Sequence, residues 1–138
     1  MQLRKPRSMA VYGWLAIITL LGLGGGCAGA ASLVLAQGGE TEYQIVLPAE
    51  TDVSTQAVAE DFAEILHQIT GATFPIVTDE EPPAAQEIIV GESNSRLAAL
   101  GLAEMTKDFA QGEYEIRTVG DHLVIAGGPP RGTINGMY

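Results

Sequence analysis

Past residue 42 the chain reads as short apolar runs punctuated by Gly and Pro, with one longer stretch of helical period. Tyr43–Leu47 (YQIVL) is an apolar run closed by Pro48 and predicts a strand. Val58, Phe62, Ile65, Leu66 and Ile69 then recur at i, i+4, i+7, i+8 and i+11, which predicts an amphipathic helix with that stripe on the core. Asp52 or Ser54 is placed to cap its start, and Gly71 stands just past its end. Gln56, Glu60, Asp61, Glu64 and Gln68 supply the wet face.

Phe74–Thr78 (FPIVT) predicts a second strand, at an edge or beginning at Pro75, because proline has no N–H for a ladder. Asp79–Gln86 (DEEPPAAQ) reads as a loop, and Glu87–Val90 (EIIV) before Gly91 as a buried strand. Ser93, Asn94 or Ser95 can cap a short helix that runs to Leu100 and stops at Gly101. Glu113–Val119 alternates, with Tyr114, Ile116 and Thr118 on one face. Gly120-Asp121 separates it from His122–Ala126, the signature of a tight hairpin. After the turn GGPPRGT, Ile134, Met137 and Tyr138 begin another amphipathic helix and are expected in the core. The order strand, helix, strand, strand, helix, hairpin, helix implies an α/β (α+β) two-layer sandwich, a small mixed sheet with helices packed on it. The last helix has barely one turn, too little to be stable alone, so a fragment cut short inside that helix is the expectation.

The first 39 residues have a different character. Arg4, Lys5 and Arg7 precede an uncharged stretch from Ser8 to Gly39, whose apolar run Ala10–Leu23 gives way to the small residues GGGCAGAAS. Residues 1–36 therefore read as a signal peptide or an N-terminal membrane anchor, and 37–42 as a linker to the domain at 43–138. Three processing sites fit: after Ala28-Gly29-Ala30, after Val34-Leu35-Ala36, and at Cys27 as a lipidation site, although Leu23 lies one position too early for the last. The expected location is outside the cytoplasm, secreted or periplasmic, with any membrane association confined to this segment.

Residues 40–138 carry four cations, Arg96, Lys107, Arg117 and Arg131, against all 17 acidic residues, a net charge of −13. Such a surface repels phosphate backbones, so no nucleic-acid partner is expected. The single cysteine, Cys27, excludes a disulfide framework within the chain and a Cys-rich metal site.

No set of residues forms a recognisable catalytic constellation. Glu60, Glu64 and His67 share a helix face at metal-ligand spacing, but such sites draw partners from other helices, so a solvated face is the better reading. Gly127–Thr133 (GGPPRGT) lies between a strand and a helix, as a phosphate loop does. It lacks the lysine, and Pro129 and Pro130 have no N–H to offer, so nucleotide binding is rejected. Asp79-Glu80-Glu81 reads as a solvated run, and Glu113 and Glu115 as an exposed strand face. His122 is read as packing within its strand or pointing to solvent. The expectation is no catalytic residue, no cofactor and no metal. Arg131 is read first as an ordinary surface charge, and is singled out because an exposed cation there is also placed to meet a neighbouring domain or a bound sugar.

Three segments, ITGATFPIV at Ile69–Val77, EIIVG at Glu87–Gly91 and GGPPRGTINGMY at Gly127–Tyr138, together resemble the N-terminal domain of family 67 alpha-glucuronidases. They are similar also to the domain that precedes the barrel in beta-hexosaminidase-like glycosidases. The resemblance spans Tyr43 to Tyr138. It implies a small α/β domain packed against a (β/α)8 barrel that carries the catalytic acids and is missing from this chain. The function implied is a non-catalytic accessory domain of an exported glycoside hydrolase acting on polysaccharide such as xylan. The rival readings are a free-standing carbohydrate-binding module, for which Tyr43, Phe62, Phe74, Phe109, Tyr114 and Tyr138 are the aromatic supply, and a membrane-anchored interaction domain.

Overall fold

A computed structural model describes residues 32–138. The leader expected over 1–31, with Cys27, lies outside the described residues, and no described helix is long and apolar enough to cross a membrane. The elements run β1 (Gln44–Leu47), α1 (Val53–Thr70), β2 (Ile76–Thr78), β3 (Glu87–Val90), α2 (Ser95–Ala99), β4 (Tyr114–Val119), β5 (His122–Gly127) and α3 (Gly132–Met137). The strands form one five-stranded sheet in the order β2-β1-β3-β5-β4. β2, β1, β3 and β5 are parallel, and β4 closes one edge antiparallel to β5. The mixed sheet with helices packed on it is the fold class expected from the sequence pattern.

Each element follows from its residues. β1 and β3 are central and covered on both sides, which is why they read as unbroken apolar runs. β2 takes the edge, and Pro75 serves just before it through its carbonyl, which accepts from Ile45 N. The hairpin turns at Gly120, whose φ of 59° is the left-handed conformation that glycine adopts without cost. Asp52 caps α1, Gly71 ends it in the left-handed region, and Asn94 caps α2.

Side chains alternate across the sheet into two apolar layers. Ile45, Leu47, Ile88, Val90 and Ile125 face α1 and α3, joined by Tyr43, Ala59, Ala72, Phe74 and Met137. Ile89, Val124 and Ala126 face the other way, under a thinner cover of Leu97 from α2 with Leu100, Leu102 and Met105 from the turns that follow.

The stripe on α1 differs from its expected membership. Thr55 and Ala59 are its buried positions, flanked by Val58, Phe62, Ala63 and Leu66. Ile65 and Ile69 are exposed, Ile69 by 75%. Small residues let the helix come close to the sheet, so the contact line runs through Thr55 and Ala59, and Ile65 falls about a quarter-turn to one side. Tyr138 is corrected too: it is 75% exposed, with its hydroxyl 3.4 Å from Asp61 Oδ2.

α3 sits on β4 and β5 through glycines. A Cβ on Gly127 would collide with the backbone of Gly132, and one on Gly132 with the carbonyl of Glu113. At Gly136 it would stand 2.8 Å from Ile125 Cγ2. The turn GGPPRGT therefore brings helix and strand backbones into direct contact, a second role besides the sharp reversal.

Glu87, read within a buried apolar run, is a buried carboxylate exposed by only 1%. It accepts from Gln44 Nε2, from Ala84 N and from Arg96 Nε. Arg96 also donates to the carbonyls of Asp79, through Nη1, and Glu81, through Nη2. Truncating one partner strands the other charge in a dry site. Arg96→Met is thus expected to cost about 3–5 kcal/mol, and the double variant Glu87→Met/Arg96→Met to recover most of it. Urea denaturation midpoints of the single and double variants check this.

Candidate functional site

In open parallel sheets the loops after the strands gather at the carboxyl ends, and a crevice opens where the strand order reverses. Here β2 lies on one side of β1 and β3 on the other, so the reversal falls between β1 and β3. A cleft of about 140 Å³ lies at that point, lined by the loops after β1, β3 and β5, among them Asp52, Thr55, Glu92, Pro129 and Thr133. A shallower depression adjoins it, bounded by Asp52, Glu92, Pro130, Arg131 and Ile134.

The polar groups around the cleft are mostly engaged within the fold. Asp52 Oδ1 accepts from Ser54 N (2.9 Å) and Thr55 N (3.1 Å), and Oδ2 from the Thr55 hydroxyl. These bonds, the Thr55 hydroxyl foremost, hold the Asp52 carboxyl below its usual range. Asn94 is buried at the end of β3 and donates through Nδ2 to the carbonyls of Val46 and Val90, clamping β1 to β3. Glu92 Oε2 accepts from the Thr133 hydroxyl at 2.9 Å, joining the β3 loop to α3. The Pro129–Pro130 peptide bond is cis and walls one side.

Asp79, expected in a solvated acidic run, is instead a bridge. Its carboxylate accepts from Ala49 N (2.9 Å) after β1 and from Ser95 N (2.7 Å) at the start of α2. Burial works to raise its pKa, but the Ser95 and Ala49 hydrogen bonds and the nearby Arg96 charge outweigh it, leaving the group below its usual range. Its position immediately after a strand was the signal: in a parallel sheet such residues converge on the other loops at that end.

Arg131 lies exposed on the rim of this crevice, at the N-terminal edge of α3. It shares the depression with Asp52 and Glu92, and its side chain makes no hydrogen bond or ion pair among the described residues. The other sequence candidates do not join it. Glu60 accepts from Gln56 and Glu64 from Gln68, each at 3.0 Å along the outer face of α1. His67 Nδ1 donates to the carbonyl of Ala72, closing the helix end. Glu113 accepts from Ala110 N, and Glu115 pairs with Arg117. His122 leaves a buried Nδ1 without a partner among the described residues. No group of three or more His, Cys, Asp or Glu among the described residues is arranged to hold a metal ion. Of the aromatic supply, Tyr43 and Phe74 are core residues, and Tyr114 and Tyr138 are exposed.

No protein-family model matches the chain, and no curated protein matches it.

The two bound carboxylates set an acid limit on stability. A folded-state pKa below the unfolded value of about 3.9 means that the contribution is complete above that value and is lost as pH falls through the folded pKa. Asp52→Ala should cost about 1 kcal/mol at neutral pH through the lost cap. Asp79→Ala should cost about 1–3 kcal/mol through two backbone donors left without their acceptor. Either variant should show a shallower loss of stability below about pH 4 than the parent, measured by thermal melting across pH 2–7.

Proposed function

We propose that residues 43–138 form a non-catalytic accessory domain of an exported glycoside hydrolase, of the kind that precedes the barrel in alpha-glucuronidases. The observation that carries this reading is the set of apolar side chains left open around α3: Tyr114 (47% exposed), Ile116 (52%) and Tyr138 (75%). They are borne by a strand and a helix whose backbones are locked together through glycines. A rigid surface that stays apolar on a strongly acidic domain suits docking against a neighbouring domain. The resemblance of the segments at Ile69–Val77, Glu87–Gly91 and Gly127–Tyr138 supports a (β/α)8 barrel as that neighbour.

The chemistry of the crevice agrees with a scaffolding role. A glycosidase needs two carboxyl groups facing one another across a bond, one of them with a raised pKa. Asp52 and Asp79 are instead held below their usual range by donors inside the fold. Arg131 is then a contact to the barrel or to the saccharide it holds. The crevice also favours a second reading, a module that binds a saccharide there, since Arg131 and the faces of Pro129 and Pro130 stand open beside it.

An antibody against the domain separates the two in cells that make the protein. The accessory-domain reading expects a captured species larger than this chain by about 25–30 kDa, the size of a barrel of about 250 residues. It also expects the captured species to hydrolyse aryl glycosides while the isolated chain does not. A captured species no larger than this chain, inactive yet binding a glycan array in an Arg131-dependent way, overturns that reading in favour of the binding module.

A further inference from the structure

β4 closes one edge of the sheet and has no strand on its outer side among the described residues. The two-residue turn at Gly120-Asp121 makes Val119 and His122 a hydrogen-bonded pair. At the other end Gly128 N donates to the Glu113 carbonyl at 2.8 Å. Alternation between these ends turns the backbone groups of Glu115, Arg117 and Val119 toward β5. Those of Tyr114, Ile116 and Thr118 point outward, and among the described residues they have no backbone partner there.

Such a row is a template for another strand, and proteins blunt it by shortness, proline or charge. The opposite edge is blunted in this way: β2 has three residues and follows Pro75. β4 has six residues and no proline. Its charges are Glu115 and Arg117, with side chains 34% and 44% exposed, which pair with one another along the strand. Opposite signs two residues apart share one face of the sheet, so this edge is complementary to a second copy of itself.

The charges also select the orientation and register of that copy. An antiparallel copy centred on Ile116 sets Glu115 against Arg117 of the second copy, and Arg117 against its Glu115. A parallel copy in register sets like charges side by side. Slipping the antiparallel copy one step either way opposes Glu115 to Glu115 or Arg117 to Arg117. In the centred register Ile116 meets Ile116 as a hydrogen-bonded pair, and the charged residues fall at the non-hydrogen-bonded pairs, where side chains approach most closely. Tyr114 then lies across from Thr118 on the face that carries α3.

We propose that two copies of this chain associate through β4, antiparallel about a two-fold axis at Ile116, joining their five-stranded sheets into one continuous sheet. The proposal is independent of the glycosidase reading. The edge lies in the plane of the sheet, whereas α3 and the exposed Tyr138 stand above it and stay open to a second domain.

The test is sedimentation equilibrium of the full chain over a concentration series reaching the millimolar range, because an interface of one strand pair is small and of the transient class. Salt is held at about 0.15 M, where repulsion between two acidic domains is screened beyond about 8 Å. The parent is expected at twice its own mass at the upper end of the series. Glu115→Arg and Arg117→Glu each oppose like charges and should weaken association at least about tenfold. Mixing the two variants should restore it as a one-to-one pair, since the arginines of one then face the glutamates of the other; that recovery also shows that both variants fold. The double variant Glu115→Arg/Arg117→Glu should associate with itself as the parent does. A parent that keeps its own single mass throughout overturns the proposal. Association unchanged in the single variants, or a mixture no more associated than its components, overturns it as well.

Discussion

A buried carboxylate holds the two halves of the sheet in register. Glu87 lies in the dry interior at the start of β3, where an unpaired charge is not tolerated. Its partners come from three directions: Gln44 on β1, Ala84 in the β2–β3 loop, and Arg96 on α2. The first sets the register of the central pair, in which Gln44 stands opposite Glu87. Arg96 in turn holds the carbonyls of Asp79 and Glu81, so the loop from β2, which must pass β1 without a helix to guide it, is pinned at both ends. That loop carries the chain past β1 to β3, so the strand order reverses between β1 and β3, where the crevice lies.

The opposite end of the sheet repeats the arrangement with neutral and anionic groups. Asn94 spans the carbonyls at the ends of β1 and β3, Asp79 spans the loops after β1 and before α2, and Glu92 reaches Thr133 on α3. Each loop at this end is held by a side chain from another. The cost is chemical: carboxylates that accept two or three internal hydrogen bonds are weak bases and hold no proton to donate near neutral pH. A crevice constructed in this way keeps its shape.

The strands, the long helix with Asp52 and Gly71 at its ends, the Asn94 cap and the Gly120-Asp121 hairpin were all legible in the sequence, because each rests on local signals. Strand order was not, because it rests on contacts made only in the folded chain, such as that of Glu87 with Arg96, which look like a strand-end acid and a helix cation until the fold brings them together. The membership of the α1 stripe shifted for a related reason. Periodicity weights large apolar residues, but the closest approach to the sheet is made by Thr55 and Ala59, and Ile69 stands outside. Asp79 was hidden in an acidic run whose other members face solvent. Arg131 was placed correctly as an exposed cation at a strand-to-helix turn; its neighbours Asp52 and Glu92, 79 and 39 residues away in the chain, required the topology.

Arg131 and Tyr138 stand at opposite ends of α3, a helix of six residues. A helix that short has no stability of its own, so its position must come from tertiary contact. That contact is backbone to backbone at Gly127 and Gly132, and backbone to side chain at Gly136 against Ile125 and Tyr114. Larger residues would have given more apolar burial but would have lifted the helix from the sheet and let it tilt. Glycine gives up burial for a fixed seat. The cation at one end and the exposed aromatic ring at the other are therefore presented at a set distance from the sheet, with Tyr114 and Ile116 on the strand beneath. A surface that has to meet a second domain in one orientation benefits from that rigidity, because little conformational freedom remains to be lost when the two surfaces close.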